Sequence, residues 1–245
     1  MAGAWIFYTV LPKIPFIEPK FDNIAQFSPL IGIFIGVIQS YIFLILNNNS
    51  WPIFACSLIC LISGYLITGG LHLDGLMDTF DGIYASKKKR LKAMKDSRVG
   101  SYGVQSILVI TFIQLASITK IENSVVYALP ICLFLGRLST LIFIEKFKYL
   151  KYKRKYHTHK KFWRGLGIES KFSILLLILI IIFSLIVETS VSNLNKIIIL
   201  SLGLVISYKV PMFLGNKMGG VNGDTCGASI VLTETIMMFV YSLFL

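Results

Sequence analysis

The chain has 245 residues, of which 55% are hydrophobic and only 15% are charged, and its formal net charge is +12. Soluble domains carry charges on about a quarter of their residues, so this composition excludes an ordinary soluble domain and predicts a membrane protein. The excess Lys and Arg residues gather between apolar segments, as the positive-inside bias expects, and this placement argues against nucleic-acid binding.

Seven apolar segments follow one another, each near the length of about 20 residues that crosses a bilayer. They cover roughly residues 28–46, 51–71, 103–119, 124–145, 172–187, 196–214 and 226–245. Lipid offers no hydrogen-bond partner to the backbone, so each of these segments must be helical. The sequence therefore predicts an all-α, polytopic transmembrane helical bundle of about seven spans, forming one integral-membrane catalytic domain over residues 1–245.

The basic residues concentrate in two connections, residues 72–102 and 146–171. With seven spans these connections lie on one side of the membrane, together with the N-terminal stretch and the short loop 215–225. The positive-inside bias makes that side cytoplasmic. We therefore expect an active site on these loops, facing the cytoplasm from a bacterial or archaeal plasma membrane.

The acidic motif GGLHLDGLMDTFDG begins the first basic connection. Its residues Asp74, Asp78 and Asp81 have the spacing i, i+4, i+7, which places three carboxylates on one face of a helix. Like charges this close repel, and hard carboxylate oxygens suit Mg²⁺, Mn²⁺ or Ca²⁺. Mg²⁺ usually binds one or two protein carboxylates and takes further ligands from substrate phosphates. The motif thus predicts Mg²⁺ with a phosphorylated ligand, or else a solvated acidic helix end with surface ion pairs.

The string KDSRVGSYG, residues 95–103, follows the acidic motif. Lys95 and Arg98 suit phosphate oxygens, and Gly100 lets backbone N–H groups approach an anion where a helix begins. Asp96 is either a further metal ligand or the base that removes a hydroxyl proton. Asp81 is the other candidate for a catalytic carboxylate.

A glycine-rich string, GGVNGDTCGA at residues 219–228, precedes the last apolar segment. Gly220 and Gly223 belong to a turn that can cradle a phosphate at the start of a helix. Asp224 then completes the metal site, or it serves only as the N-cap of the helix.

Three more polar residues are candidates because of where they stand. Arg137 and Glu234 lie inside apolar segments, where an ionisable group is a functional candidate. Arg137 reaches a phosphate or pairs with Glu234. His72, just before the first aspartate, ligates metal, bonds a substrate, or is an ordinary buried polar residue.

These motifs resemble the signature of the cobalamin synthase family, the adenosylcobinamide-GDP ribazoletransferases. The acidic motif followed by MKDSRVGSYGV carries the resemblance, and GGVNGDTCGASIVLTE, FYTVLPKIPF and FSPLIGIFIG agree with it. The matching strings stand in the family's order from near residue 7 to Glu234. One departure is Val10, where the family often has Arg.

The resemblance implies a Mg²⁺-dependent transferase of cobalamin biosynthesis. A ribose hydroxyl of α-ribazole, or of its 5′-phosphate, attacks the phosphate on the corrinoid arm of adenosylcobinamide-GDP, GMP leaves, and the nucleotide loop closes. Asp74, Asp78 and Asp81 would bind the metal and Asp224 would complete its site, while Lys95 and Arg98 would hold the diphosphate. The implied partners are the two substrates and the lipid bilayer, and self-association into a homo-oligomer is left open.

Two other functions fit parts of the sequence. The string DTFDGIYA, residues 78–85, matches the first half of the motif of CDP-alcohol phosphotransferases, but the second half is missing. A transporter would suit the ionisable residues inside the apolar segments. Against a transporter, the acidic residues gather at one membrane edge and no inverted repeat is visible.

Overall fold

The computed structural model describes residues 1–150, 162–187 and 191–245, except for the side chain of Asn123. Residues 151–161 of the predicted basic connection lie outside this description. Within the described ranges the chain forms helices and an isolated bridge between Tyr149 and Val221, without a β-strand. The helices are α1 (Ala2–Tyr8), α2 (Ser28–Asn48), α3 (Ile53–Ile67), α4 (Leu71–Tyr84), α5 (Arg90–Ala93), α6 (Ser101–Ile121), α7 (Val125–Lys146), α8 (Leu166–Glu169), α9 (Lys171–Ile186), α10 (Asn193–Met218) and α11 (Gly223–Ser242).

Five of these helices are long and apolar enough to cross a membrane: α2 with the 3-10 turn before it, α6, α7, α10 and α11. Helices α3 and α4 pass the same test together, but they are bent by 86°. The 16-residue α9 is apolar and shorter than a full span. The prediction of an all-α, polytopic membrane bundle is confirmed, because each of the seven apolar segments contains one helix.

The bend between α3 and α4 is where the predicted segment 51–71 differs from the structure. Helix α3 ends at Ile67, and Gly69 and Gly70 follow with φ of 61° and 72°. Glycine adopts this left-handed backbone without a Cβ penalty. The chain therefore leaves α3 and begins the acidic motif as a separate helix, α4.

Close helix crossings depend on residues without a side chain. Helix α2 packs on α7 at Gly32 and Gly36, where an added Cβ would lie 2.4 Å from the Leu133 carbonyl oxygen and 2.6 Å from Pro130 Cα. Small residues at such crossings let membrane helices approach closely. The same device joins α4 to α11, since a Cβ on Gly75 would lie 2.7 Å from the Asp224 carbonyl oxygen.

Three connections that the sequence placed on one side of the membrane meet at one end of the bundle. The backbone N–H of Leu150 donates to the carbonyl of Val221 at 2.8 Å, and Val221 N–H donates to Lys148 at 3.0 Å. The guanidinium of Arg90 donates to the carbonyl of Lys217. The connection after α4, the chain after α7 and the glycine turn before α11 are thus held together at this end.

Candidate metal and phosphate site

Three aspartates gather where α4 crosses the start of α11. Asp74 and Asp78 lie one turn apart on α4, and Asp224 is the second residue of α11. The absent side chain of Gly75, next to Asp74, allows the backbones of the two helices to touch at this crossing. The structure therefore brings two motifs, separated by well over a hundred residues in the chain, to one place.

The electrostatics of Asp78 report the crowding of these carboxylates. Partial burial and then the charges of Asp224, Asp74 and Asp81 raise the pKa of Asp78 to about 7. Within the described residues no Lys or Arg side chain forms an ion pair with Asp74, Asp78 or Asp224. Among the described residues, the negative charge at this end is therefore not neutralised by direct contact with a Lys or Arg side chain.

Asp81 differs from its neighbours because the backbone of α6 engages its carboxylate. One oxygen accepts from Gly100 N–H and the other from Gly103 N–H, both at 2.8 Å. Both glycines leave room for the carboxylate, since an added Cβ would approach its oxygens to 2.4 Å and 2.7 Å. Asp81 therefore caps the first turn of α6 from a different helix, so its negative charge faces a helix N-terminus.

The N-terminus of α11 is capped by Asn222 and not by Asp224. The Asn222 side chain accepts from Thr225 N–H at 2.9 Å, and the Thr225 hydroxyl accepts from Asn222 N–H at 2.8 Å. The N-cap alternative for Asp224 is therefore wrong. Asn222 also donates its side-chain N–H to Asp224 Oδ2 at 2.8 Å and so helps to orient that carboxylate.

The donor chemistry of this cluster fits a hard divalent cation. Asp74, Asp78 and Asp224 supply only carboxylate oxygens, which Mg²⁺ prefers. Among the residues that the structure describes, no three His, Cys, Asp or Glu side chains are already arranged as a metal site. An ion that takes one or two carboxylates and completes its shell with phosphate oxygens does not need such an arrangement.

The basic string after the acidic motif is exposed and partly self-paired. Arg98 donates its side-chain Nε and Nη2 to the Asp96 carboxylate at 2.9 and 2.8 Å, and its backbone N–H adds a third bond. These bonds hold the pKa of Asp96 well below its ordinary range. The roles predicted for Lys95, Asp96 and Arg98 remain predictions.

The predicted phosphate-binding glycines have different surroundings. Gly220 is pressed against the chain before residue 151, since an added Cβ would lie 2.6 Å from the Lys148 carbonyl oxygen. Gly100 touches Asp81. A Cβ on Gly223, in contrast, would meet no atom of the described residues within 4 Å. Among these residues, Gly223 therefore leaves the most room for a group to approach the start of α11.

The ionisable residues inside the bundle form a pair. Arg137 of α7, only 1% exposed, donates to the Glu234 carboxylate of α11 and to the Leu133 carbonyl. Gly136 makes room, since a Cβ there would lie 2.3 Å from Glu234 Cγ. Of the two roles predicted for Arg137, the structure contains the pairing with Glu234. His72 is buried, lining both a small cavity beside this pair and the larger cavity described next.

Two cavities border the aspartates and share Asp74, Phe7 and Leu71. The first, of about 220 Å³, lies between α1, α4, α7 and α11 and also contains Asp224. The second is an open groove of about 660 Å³ along α1, the α3–α4 bend and α4. Sequence reasoning missed the aromatic side chains that line the first cavity, Phe7, Tyr8 and Tyr149. The string FYTVLPKIPF was the available signal for α1, while Tyr149 follows no motif.

Fold and site together define a polytopic helical membrane protein with a carboxylate-rich site at one end of its bundle. A family model described as cobalamin-5-phosphate synthase matches residues 1–242. The chain belongs to that family, so the resemblance carried by the motifs is confirmed, and it favours this family over CDP-alcohol phosphotransferases and transporters.

Similar curated proteins carry the name adenosylcobinamide-GDP ribazoletransferase. One from Prochlorococcus marinus is 40% identical over 247 residues, covering all of this chain and 95% of the relative. One from Alkaliphilus oremlandii is 32% identical, covering 95% of this chain and 92% of the relative. One from Thermosynechococcus vestitus is 30% identical, covering 98% of this chain and 94% of the relative. No solved structure matches the chain.

Proposed function

We propose that this chain transfers the phosphocorrinoid part of adenosylcobinamide-GDP to α-ribazole or its 5′-phosphate and releases GMP. The product is adenosylcobalamin or its 5′-phosphate, so the reaction assembles the nucleotide loop. Family membership and the names of the relatives support this reaction. The structural observation that supports it is the cluster of Asp74, Asp78 and Asp224, whose negative charge no described side-chain cation neutralises.

We infer that this cluster holds Mg²⁺. Asp74, Asp78 and Asp224 would provide its carboxylate ligands, with Asp81 in reach once its bonds to α6 open. When bound, Mg²⁺ would neutralise charge on the diphosphate and on the departing GMP. Cleavage of a diphosphate depends mainly on the positioning of the reacting groups and on electrostatic stabilisation. A carboxylate cluster that the fold holds in place contributes to both.

The reaction forms one bond to phosphorus and breaks another. The hydroxyl oxygen of the ribazole ribose attacks the phosphorus attached to the corrinoid arm, and the bond from that phosphorus to the GMP oxygen breaks. The hydroxyl proton passes to a base, for which Asp96 and Asp81 remain the candidates. Asp96 can accept this proton only after its bonds to Arg98 open, because the paired guanidinium stabilises its charged form. Lys95 and Arg98 would then face the diphosphate.

We propose that the carboxylate end of the bundle faces the cytoplasm. The basic residues of 87–98 lie on the connection between α4 and α6, beside Asp81. Lys and Arg concentrate in cytoplasmic connections of membrane proteins. Cysteines introduced at Ser86 and at Asn49, the two ends of the bundle by this topology, should react with an impermeant maleimide from opposite sides of the membrane. Reaction of the Ser86 variant in intact cells would contradict the orientation.

Product analysis tests the reaction. Purified protein in detergent or vesicles receives adenosylcobinamide-GDP, α-ribazole and Mg²⁺, and the products are separated. We expect GMP and a corrinoid with a closed nucleotide loop in equal amounts, and neither in the presence of EDTA. Substituting CDP-diacylglycerol and an alcohol for the two substrates provides the control, and CMP release from that mixture would support the phospholipid enzyme instead.

A further inference from the structure

The cavity of about 220 Å³ beside the aspartates has the features of a binding site for one substrate. It is bounded by α1, α4, α7 and α11, and the carboxylates of Asp74 and Asp224 stand in its wall. Its other walls carry the aromatic rings of Phe7, Tyr8 and Tyr149. A ligand in this cavity therefore lies against aromatic residues on one side and the proposed metal site on the other.

The open groove on the other side of Asp74 differs in size and lining. It has about three times the volume, 660 Å³, and its walls carry aliphatic side chains such as Val10, Leu73 and Met77. A corrinoid macrocycle with its nucleotide arm is much larger than a nucleoside and does not fit the smaller cavity. The groove has the greater room and is open along its length, whereas the smaller cavity suits a compact ligand.

We propose that the smaller cavity binds the aromatic nucleoside acceptor, α-ribazole, with its planar base among Phe7, Tyr8 and Tyr149. Aromatic side chains bind planar bases by stacking. The ribose would then lie toward Asp74 and Asp224, where its hydroxyl can meet the phosphorus. The groove is left for the corrinoid substrate, so the two substrates approach Asp74 from opposite sides. This inference rests on the proposed function and adds a place for one of its substrates.

Gly223 offers a direct test because it lines the cavity without a side chain. A Cβ at Gly223 meets no described atom within 4 Å, and its φ is not left-handed, so a larger residue can be placed there without backbone strain. In the series Gly223→Ala, Gly223→Val and Gly223→Leu, we expect the KM for α-ribazole to rise with side-chain size. The rise for Leu should be about two- to tenfold, as one lost stacking contact is worth, and it should exceed any rise in the KM for adenosylcobinamide-GDP.

Gly167→Leu is the matched control. Gly167 is the second residue of α8, its added Cβ would meet no atom of the described residues within 4 Å, and it lies outside both cavities. We expect both KM values to stay at the parent level. An unchanged KM for α-ribazole in Gly223→Leu, or a rise in the KM for adenosylcobinamide-GDP that equals or exceeds the rise for α-ribazole, would overturn the assignment of this cavity. A parent protein with no turnover would instead contradict the proposed function.

Cys226 provides an equilibrium measurement that needs no turnover. It lines the same cavity and is partly accessible, whereas Cys56, Cys60 and Cys132 are buried. Site-resolved mass spectrometry can follow alkylation of each thiol in the parent protein. We expect α-ribazole to slow alkylation of Cys226 several-fold in the parent protein. This protection should be lost in Gly223→Leu. Equal alkylation rates with and without saturating α-ribazole would contradict the proposal even if the KM values had moved.

Discussion

Two regions of this bundle hold acidic side chains, and the fold treats their charge differently. Inside the bundle, Glu234 faces Arg137, and both are almost fully removed from the surface. At the end of the bundle, Asp74, Asp78 and Asp224 have no ion-pair partner among the described side chains. The interior pair is complete within the protein, whereas no described side chain forms an ion pair with the aspartates. Glu234 thus supports the structure, and we propose that the aspartates act on a metal-bound substrate.

The largest effect on activity is expected from removing the charge of one aspartate in the cluster. Asp78→Asn keeps the shape of the side chain but supplies a neutral amide to the proposed Mg²⁺. We expect kcat/KM to fall about 10³-fold, the scale on which one electrostatic contact to a transition state is lost. Turnover and unfolding temperature should be measured together, because the comparison predicts loss of activity without loss of stability.

Asp22→Asn is the control for this substitution, since Asp22 is exposed on the loop before α2. It should leave both quantities unchanged. Full activity of Asp78→Asn would remove this residue from the group of ligand-facing acids.

The interior pair should show the opposite result. Glu234→Ala leaves Arg137 buried without its partner, and breaking a buried pair in this way costs about 3–5 kcal/mol of stability. The double variant with Met at both positions should recover most of that stability, because an apolar replacement removes both desolvation penalties. Unfolding in detergent measures the change, with Asp22→Ala as the exposed control. A stable but inactive Glu234→Ala would place this pair in the catalytic machinery and break the comparison.

The sequence predicted the helices and the acidic motif because both depend on local patterns. Apolar length identifies the segments, and the i, i+4, i+7 spacing puts Asp74, Asp78 and Asp81 on one helix face. The bend at Gly69 and Gly70 was not predicted, because two glycines permit a left-handed backbone without requiring it.

The partners of each side chain depend on which helices touch, and local spacing does not contain that information. Asp81 shares its face with the other aspartates, yet its carboxylate is bound by Gly100 and Gly103 of another helix. The aromatic wall of the cavity comes from α1 and from Tyr149, which are far apart in the chain. The sequence left two roles for Arg137, contact with a phosphate or pairing with Glu234. Only the packing of α7 on α11 decides between them.

Asp81 shares features with both groups of acids, because it belongs to the aspartate motif but its carboxylate is already bound by the protein. If its main role is to hold the first turn of α6, Gly100→Ala should imitate Asp81→Asn, since the new Cβ would displace the carboxylate from both N–H groups. We expect each variant to lower kcat/KM about 10- to 100-fold, as losing a supporting contact does. The Mg²⁺ concentration for half-maximal activity should change little in Gly100→Ala.

Gly167→Ala is the control for the glycine substitution, because its added Cβ meets no atom of the described part of the chain within 4 Å. A large shift in Mg²⁺ dependence for Asp81→Asn alone, with a normal value for Gly100→Ala, would identify Asp81 as a metal ligand.

The smallest expected effect is a pH dependence of the metal-free protein. The pKa of Asp78 is raised to about 7, whereas an unfolded Asp titrates near its ordinary value of 3.8. A group whose folded pKa is raised binds its proton more tightly in the folded state. Its contribution to stability is therefore fully present below about pH 4 and is lost as the pH rises toward and through 7. In EDTA, the unfolding temperature of the parent protein should fall across this pH window, and the unfolding temperature of Asp78→Asn should fall less.

Mg²⁺ should reverse that loss above pH 7, because binding a cation to the charged carboxylates stabilises the folded state. The Mg²⁺-induced rise in unfolding temperature should therefore grow with pH in the parent protein and be much smaller in Asp78→Asn. Glu234, already paired with Arg137, should contribute nothing to this Mg²⁺ response, so the double Met variant at the interior pair should keep it. A Mg²⁺ response that is equal at pH 5 and pH 8 would mean that protons and Mg²⁺ do not compete for these carboxylates.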